Sequence, residues 1–263
     1  MIATPEPNSA ERPPSRLIAA LRIAGLILLL IAMAPPHIVA KRFGRSPFPP
    51  RFLAAAARIC GARVRRTGQP LGAHGLLIAN HVSWLDILVL ASATSTRFVS
   101  KTEVADHPLL RWLADQNDTL YIERSDRGAV HDQARMIADA LADDRPLALF
   151  PEGTTGDGKA LLNFRSSLLA AVAPPPSGAS VQPVAIDYGA MRATLGWTDG
   201  ESGKDNALKL LGRRGSFPVA VRLLAPLAHG TDRKTLARDA RTAIADALSS
   251  VQPASSNPYA AAL

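Results

Sequence analysis

The sequence has a single cysteine, Cys60, in 263 residues, so it excludes an intrachain disulfide and suits a reducing compartment. It has no Cys and His clusters with the spacing of zinc ligands, and no HExxH pair. It also lacks a GxSxG nucleophile elbow and a cysteine-centred catalytic motif. We therefore expect neither a metal nor a bound cofactor, and any chemistry must come from other side chains.

Acidic residues are scarce in the N-terminal quarter. Residues 1–70 hold 11 Lys and Arg against 2 Asp and Glu, a balance of +9, whereas residues 71–263 hold 19 against 20, a balance of −1. A nucleic-acid-binding domain carries basic charge beside aromatic or groove-reading elements. Here the basic charge flanks an apolar helix, which favours an anionic lipid surface as the partner and argues against nucleic acid.

A long apolar segment, Leu17 to Ala34, is interrupted by Arg22 alone. It falls slightly short of the roughly 20 apolar residues of a spanning helix, and Pro35-Pro36 is predicted to end the helix. Basic residues lie on both sides, so the positive-inside rule assigns no orientation. We interpret the segment as an anchor that dips into one leaflet, with both flanks on the cytoplasmic face of the inner membrane. A signal peptide is the alternative, because Ala32 to Ala34 reads as an A-x-A cleavage site.

These patterns divide the chain into a disordered tail at 1–16, a membrane-associated helical hairpin at 17–61, a main domain at 62–250 and a loose tail at 251–263. The main domain alternates short strand-like runs with amphipathic helices, which predicts an α/β fold with a mixed, mainly parallel sheet of about seven strands flanked by helices. The last helix is predicted to follow Thr231 as its N-cap. Predicted helices in the hairpin and the main domain include Arg51–Cys60, Ala129–Ala142 and Asp232–Ser249, and the predicted strands are Ala62–Thr67, Leu76–Ala79, Arg97–Ser100, Thr119–Glu123, Leu147–Phe150, Val181–Asp187 and Val219–Leu224.

The stretch NHVSWLD, Asn80 to Asp86, follows the apolar run Gly75 to Ala79. Residues five apart differ by about 140° around a helix, so His81 and Asp86 pair only if the histidine precedes the helix. Ser83 is a good N-cap, and Asp86 is then the third helical residue of a capping box. Two interpretations compete: the carboxylate only caps the helix, or it also holds His81 as a general base.

Three further blocks accompany this stretch, TLYIERSDR at Thr119 to Arg127, LALFPEGTT at Leu147 to Thr155 and VQPVAIDY at Val181 to Tyr188. In order and separation the four blocks resemble the glycerolipid acyltransferase family, the acylglycerolphosphate acyltransferases and their relatives, over about residues 62–190. The resemblance implies that His81 is the catalytic base and Asp86 its partner.

The same resemblance implies the substrate-binding residues. Arg124, at the end of the second block, is implicated in holding the phosphate of an acceptor. Glu152, Gly153 and Thr154 belong to the third block, which serves acceptor binding. Pro183 belongs to the fourth block, near the acyl donor, and a proline in a strand is expected at a sheet edge or at the strand start. Gly153 is expected to supply a backbone conformation that other residues resist.

The implied reaction transfers an acyl chain from a thioester of coenzyme A or acyl carrier protein to the free hydroxyl of a lyso-lipid. The first choice of acceptor is 1-acylglycerol-3-phosphate, which gives phosphatidic acid. The family's third block usually continues with Arg-Ser, and here it reads Thr155-Gly156. Another acceptor, such as lyso-ornithine lipid, is therefore the alternative, and a non-catalytic membrane-surface lipid-binding protein is the competing class. Backbone N–H groups near Gly153 or at the helix start after His81 are the candidate oxyanion donors.

Overall fold

The structure is a computed structural model. It describes residues 13–102, 106–122, 130–143, 145–170, 172–173, 179–198, 200–228 and 232–250. The predicted tails, apart from residues 13–16, lie outside the described residues, and so does Arg124.

One sheet organises the part of the chain that the structure describes. Its strands are β1 Ala62–Thr67, β2 Gly75–Ala79, β3 Arg97–Lys101, β4 Leu120–Ile122, β5 Leu147–Leu149, β6 Ser180–Asp187 and β7 Phe217–Leu223. Their order in the sheet is β1-β7-β6-β2-β5-β3-β4. Neighbouring strands are parallel except β6 and β7, which pair antiparallel. The predicted mixed, mainly parallel sheet is confirmed.

Helices cover both faces of this sheet. They are α1 Arg16–Arg42, α2 Phe48–Ile59, α3 Leu85–Thr94, α4 Pro108–Gln116, α5 Val130–Leu141, α6 Arg192–Leu195, α7 Gly203–Leu211 and α8 Arg233–Ser249. One face of the sheet packs against α2, α3 and α7 in a core that includes Leu85 and Leu210, and the other packs against α5 and α8 in a core that includes Ile137 and Leu236. Alternate residues of β2 point into the two cores, so this central strand is buried on both faces.

The first helix does not end at Pro35-Pro36, so that part of the prediction was wrong. α1 continues to Arg42 with both prolines inside it. Its last turns are held from outside, because the buried His37 bonds Ser46 through Nδ1 at 2.7 Å and Gln116 of α4 through Nε2 at 3.0 Å. These tertiary contacts outweigh the backbone hydrogen bonds that the prolines remove. α1 is long and apolar enough to cross a membrane by length and composition alone.

α2 begins at Phe48, three residues before the predicted Arg51, and two other helices have their N-cap one residue after the predicted one. α3 begins at Leu85, so Trp84 rather than Ser83 is its N-cap, and the Ser83 hydroxyl accepts the N–H of Leu85 at 3.4 Å. α8 begins at Arg233, and its N-cap is Asp232, whose side chain accepts two backbone N–H groups of the first turn. Asp232 caps α8 because its carboxylate is in reach of these N–H groups.

Pro183 does not lie at a sheet edge or a strand start, contrary to expectation. It lies inside β6, with Ile78 of the central strand β2 as its neighbour. The ladder between β6 and β7 ends at the next residue, and the Pro183 carbonyl accepts the N–H of Leu224 at 3.0 Å. The Leu224 carbonyl receives its hydrogen bond from the Gln182 side chain at 2.8 Å, which replaces the N–H that proline lacks.

Candidate active site

Three strands end side by side at one edge of the sheet. β2, β5 and β6 run parallel, so the residues that follow them meet there: Asn80 and His81 after β2, Glu152 after β5, and Tyr188 after β6. Ligand sites of open α/β sheets lie at such carboxyl ends of strands. Three of the four family-like blocks therefore meet at this edge.

His81 and Asp86 form a hydrogen-bonded pair. His81 Nδ1 lies 2.8 Å from Asp86 Oδ2. The same oxygen accepts the backbone N–H groups of Val82 at 2.6 Å and Ser83 at 2.8 Å. The carboxylate is fully buried, whereas 17% of the His81 side chain is exposed. The two interpretations of NHVSWLD are thus compatible, because one carboxylate binds the loop N–H groups and also holds the imidazole.

Tyr188 completes the surroundings of Asp86. Its hydroxyl donates to Asp86 Oδ1 at 2.5 Å from a fully buried position. Burial, and then the charge and the hydrogen bond of Asp86, raise the pKa of Tyr188 well above its usual value. Tyr188 ends the fourth block, VQPVAIDY, and no local sequence pattern assigns it a role.

Asn80 joins the ends of β2 and β6. Its side-chain amide donates to the carbonyl of Ile186 at 3.0 Å and accepts the N–H of the same residue at 2.7 Å. Asn80 is fully buried, so this two-way pair is protected from water. It fixes the residue before His81 relative to the strand that leads to Tyr188.

An aromatic ring supports the imidazole. The rings of His81 and Phe150 stack at 4.2 Å between centroids with 15° between their planes, and Phe98 stacks behind Phe150 at 6.0 Å. With Nδ1 bound to Asp86 and one face of the ring covered, the imidazole has a defined orientation. Nε2 is then the ring nitrogen left for a proton transfer.

Glu152 ties two loops together. Its Oε1 accepts the backbone N–H of His81 at 2.6 Å, and its Oε2 accepts that of Leu162 at 3.0 Å. Only 3% of Glu152 is exposed, and this burial raises the pKa of its carboxyl group despite the two hydrogen bonds. The next residue, Gly153, has φ +76°, in the left-handed region, as expected for a glycine that other residues replace poorly.

The remaining predicted site residues lie in three different situations. Thr154 is half-buried beside Gly153 at the same edge. Pro183 lies beside Ile78, before β2 reaches the edge, on the face that packs against α8, so the structure separates it from His81. Arg124 lies outside the described residues.

Three of the candidate oxyanion donors, the N–H groups of Gly153, Val82 and Ser83, already have partners. The N–H of Gly153 donates to the Phe150 carbonyl at 3.1 Å, and those of Val82 and Ser83 donate to Asp86. These groups stabilise the two loops. Within the described ranges, no three His, Cys, Asp or Glu side chains are grouped so that they could hold a metal ion.

Comparison with known proteins places this site in a family. The Acyltransferase family matches residues 61–187. The lyso-ornithine lipid O-acyltransferase of Pseudomonas aeruginosa is 36% identical over 252 residues, which cover 88% of this chain and 93% of that protein. The 1-acyl-sn-glycerol-3-phosphate acyltransferase of Neisseria gonorrhoeae is 32% identical over 124 residues, 46% of this chain and 48% of that protein.

A solved structure shows the same fold. The crystal structure of the 1-acyl-sn-glycerophosphate acyltransferase PlsC from Thermotoga maritima superposes with a TM-score of 0.55 at 20% sequence identity, covering 88% of this chain and 92% of that one. The matched family segment, 61–187, contains His81, Asp86 and Glu152. The chain is therefore an acyltransferase and belongs to the glycerolipid acyltransferase family.

Proposed function

We propose that this enzyme transfers an acyl chain from a thioester to the free hydroxyl of a lyso-lipid, with His81 as general base and lyso-ornithine lipid as acceptor. The observation that carries the chemistry is the buried Asp86 carboxylate, which holds His81 Nδ1 at 2.8 Å and leaves Nε2 for the substrate. Such a base contributes roughly 10²–10⁴ in rate.

The proposed step uses the substrate hydroxyl itself as the nucleophile. His81 Nε2 takes the hydroxyl proton while the oxygen attacks the thioester carbonyl, and Asp86 stabilises the imidazolium that forms. The C–O bond forms, the C–S bond breaks, and the imidazolium returns the proton to the departing thiolate. No covalent intermediate on the protein is required. The proposed donor is an acyl thioester of coenzyme A or acyl carrier protein, since both present the thioester on the same phosphopantetheine arm.

The choice of lyso-ornithine lipid rests on two observations. The relative that aligns over 88% of the chain acts on this lipid, according to its name. The Arg-Ser that usually follows the third block is Thr155-Gly156 here, and Thr155 donates its hydroxyl to the Trp197 carbonyl at 2.9 Å. That position therefore anchors a loop and supplies no positive charge for a phosphate.

A second acceptor, 1-acylglycerol-3-phosphate, also has support. The Neisseria gonorrhoeae relative is named for this substrate. Arg124 occupies the position that the family resemblance links to an acceptor phosphate. A guanidinium suits that role because it bonds phosphate oxygens in a planar fork.

We further propose that the enzyme binds the cytoplasmic face of the inner membrane through α1 without crossing it. The Arg22 side chain donates to the carbonyls of Leu210, Leu211 and Gly215, and His37 bonds Gln116, so two points of α1 are bonded to one domain. The stretch between these points, residues 23–36, is about 21 Å long, shorter than the roughly 30 Å hydrocarbon core. Apolar side chains remain exposed along the helix, namely Leu17, Leu21, Ile23, Ile27, Leu28, Ile31, Ile38 and Val39.

The test is a lipid readout with defined acceptors. Purified protein in vesicles receives one acyl thioester and, in separate reactions, lyso-ornithine lipid, 1-acylglycerol-3-phosphate or a lysophosphatidylethanolamine, and products are identified by mass spectrometry. We expect the lyso-ornithine product, its loss in His81→Ala, and normal activity in the control His107→Ala, whose side chain is exposed. Phosphatidic acid as the main product would transfer the assignment to the second acceptor. Full activity of a folded His81→Ala protein would overturn the mechanism.

A further inference from the structure

Tyr188, the residue directly after β6, contacts Asp86 on the side away from His81. We propose that Tyr188 is a positioning residue that controls, through Asp86, how tightly His81 holds its proton. The inference rests on the proposed role of His81 as general base. Nothing in the comparisons assigns Tyr188 a role.

The hydrogen bonds to Asp86 are unevenly divided between its two oxygens. Oδ2 accepts from His81, Val82 and Ser83, whereas Oδ1 accepts from Tyr188 alone among the described residues. Since Asp86 is fully buried, no bulk water replaces a lost donor. The Tyr188 hydroxyl therefore fixes the rotation of the carboxylate, and that rotation sets where Oδ2 meets the imidazole.

Tyr188 is suited to a permanent donor role. It is fully buried, its raised pKa favours the protonated hydroxyl, and its ring centroid lies 6.3 Å from that of Phe217. The end of β6 is also fixed, because Asn80 bonds both backbone groups of Ile186. The hydroxyl is thus held towards Asp86 by the sheet itself.

The direction of the effect follows from the hydroxyl dipole. Its positive end points at Asp86 and draws part of the carboxylate charge away from His81. Without it, the carboxylate stabilises the imidazolium more strongly, and His81 keeps its proton to a higher pH. The other ionisable group in the described structure that contacts His81 is Glu152, which binds the backbone N–H and is unchanged by the substitution.

The first test is Tyr188→Phe, which removes the hydroxyl and keeps the ring. We expect kcat to fall about tenfold with KM unchanged, because the base is slightly misplaced. We expect the acid limb of the pH profile of kcat to move up by about half a pH unit. The control is Tyr121→Phe, which removes a solvent-exposed Tyr–Asp hydrogen bond to Asp115 at 2.9 Å, on β4 at the edge of the sheet. The control should keep both kcat and the pH profile.

A double-mutant cycle separates positioning from a purely structural role. If Tyr188 acts through Asp86, Tyr188→Phe has less than about a twofold further effect in an Asp86→Asn background. An equal tenfold loss in both backgrounds would overturn the proposal, and so would an unchanged acid limb in the single variant. A structural role alone lowers Tm and leaves the pH profile in place.

Two further measurements test the role of Tyr188 if His81 is not the base or if Tyr188→Phe does not fold. Titration of the ¹⁵N-labelled His81 ring by NMR reports its proton directly, even if His81 proves not to be the base. If Tyr188→Phe does not fold, 3-fluorotyrosine at position 188 keeps the hydroxyl and makes it a stronger donor. The His81 titration and the acid limb should then move to lower pH, and movement to higher pH would contradict the inference.

Discussion

Glu152 accepts the backbone N–H of His81 at 2.6 Å, so the loop after β5 holds the loop that carries this histidine. Its second oxygen binds Leu162, whose carbonyl in turn accepts from Arg241 of α8 at 3.0 Å. A chain of contacts therefore runs from the far layer of helices to His81. Both Glu152 oxygens have protein partners, which favours a positioning role for this residue over direct contact with substrate.

Glu152→Gln is expected to lower kcat by about tenfold to a hundredfold, because an amide has one acceptor oxygen for two N–H groups and the His81 loop loosens. Initial rates at saturating acceptor measure this. The matched control is Glu201→Gln, in a pair with Lys209 away from the site. Loss of activity in both variants would point to a general charge effect.

Glu152→Gln is also expected to change how the stability of the protein depends on pH. The pKa of Glu152 is raised in the folded state by burial, so the folded protein binds more protons than the unfolded chain at pH values above the unfolded pKa of about 4.3. The stability contribution of Glu152 is present below that pH and is lost as the pH rises through the raised pKa. We expect the Tm of the wild type, relative to Glu152→Gln, to fall as the pH rises above about 4. A constant difference would show that Glu152 does not titrate differently on folding.

Asp86→Asn is expected to keep the fold and to lower kcat by roughly 10²–10⁴, because the amide is nearly isosteric but cannot stabilise the imidazolium. Its amide oxygen still accepts from the loop, and Tyr188 can accept from its NH₂ group. Circular dichroism and Tm check the fold, and single-turnover kinetics check the chemical step. Near-normal kcat in a folded Asp86→Asn protein would leave the binding of the Val82 and Ser83 N–H groups as the role of this carboxylate.

Gly153→Ala tests the backbone of the third block. With φ at +76°, a side chain costs about 1–2 kcal/mol in the left-handed region. We expect the free energy of unfolding to fall by that amount, measured by urea denaturation, and kcat to fall as well because Glu152 shifts. Gly72→Ala is the matched control, since an added methyl group there has open space around it.

Arg22→Leu tests how α1 is attached. The substitution removes one guanidinium from three carbonyls at and after the end of α7, and we expect a loss of about 2 kcal/mol in unfolding free energy. Hydrogen exchange of Leu210 and Leu211 should become faster. Arg16→Leu adds the same apolar side chain at an exposed position and serves as the control. Equal exchange in both variants would show that these bonds do not hold α1.

Arg124→Ala distinguishes the two acceptors kinetically. If the acceptor carries a phosphate held by Arg124, its KM rises about tenfold or more while the KM of the donor stays constant. With lyso-ornithine lipid, whose headgroup has no phosphate, the change should be within about twofold. Equal increases for donor and acceptor would count against an acceptor-binding role.

The sequence predicts the strands well and the site only in part. Short apolar runs between turn residues mark β2, β5 and β6, because the residues of these strands are almost all buried. His81 and Asp86 are predictable because only five positions separate them. Tyr188 lies 102 residues from Asp86 and Glu152 lies 71 residues from His81, so these contacts depend on strand order, which local patterns do not encode. The end of α1 was missed for the same reason, since His37 bonds Gln116, 79 residues away.

The double attachment of α1 has a consequence for how the enzyme meets its substrates. If α1 is the membrane anchor proposed above, the domain bonded to it at Arg22 and His37 cannot rotate about it, and the bilayer sets one height and one tilt for the sheet edge that carries His81. The bound enzyme and its lipid acceptor then meet by diffusion within the plane of the bilayer. On this hypothesis the turnover rate depends on the mole fraction of acceptor in the vesicle surface. Dilution of intact vesicles, at concentrations where all the enzyme stays bound to them, should therefore leave the rate unchanged. A rate that depends on the bulk concentration of acceptor would refute the hypothesis.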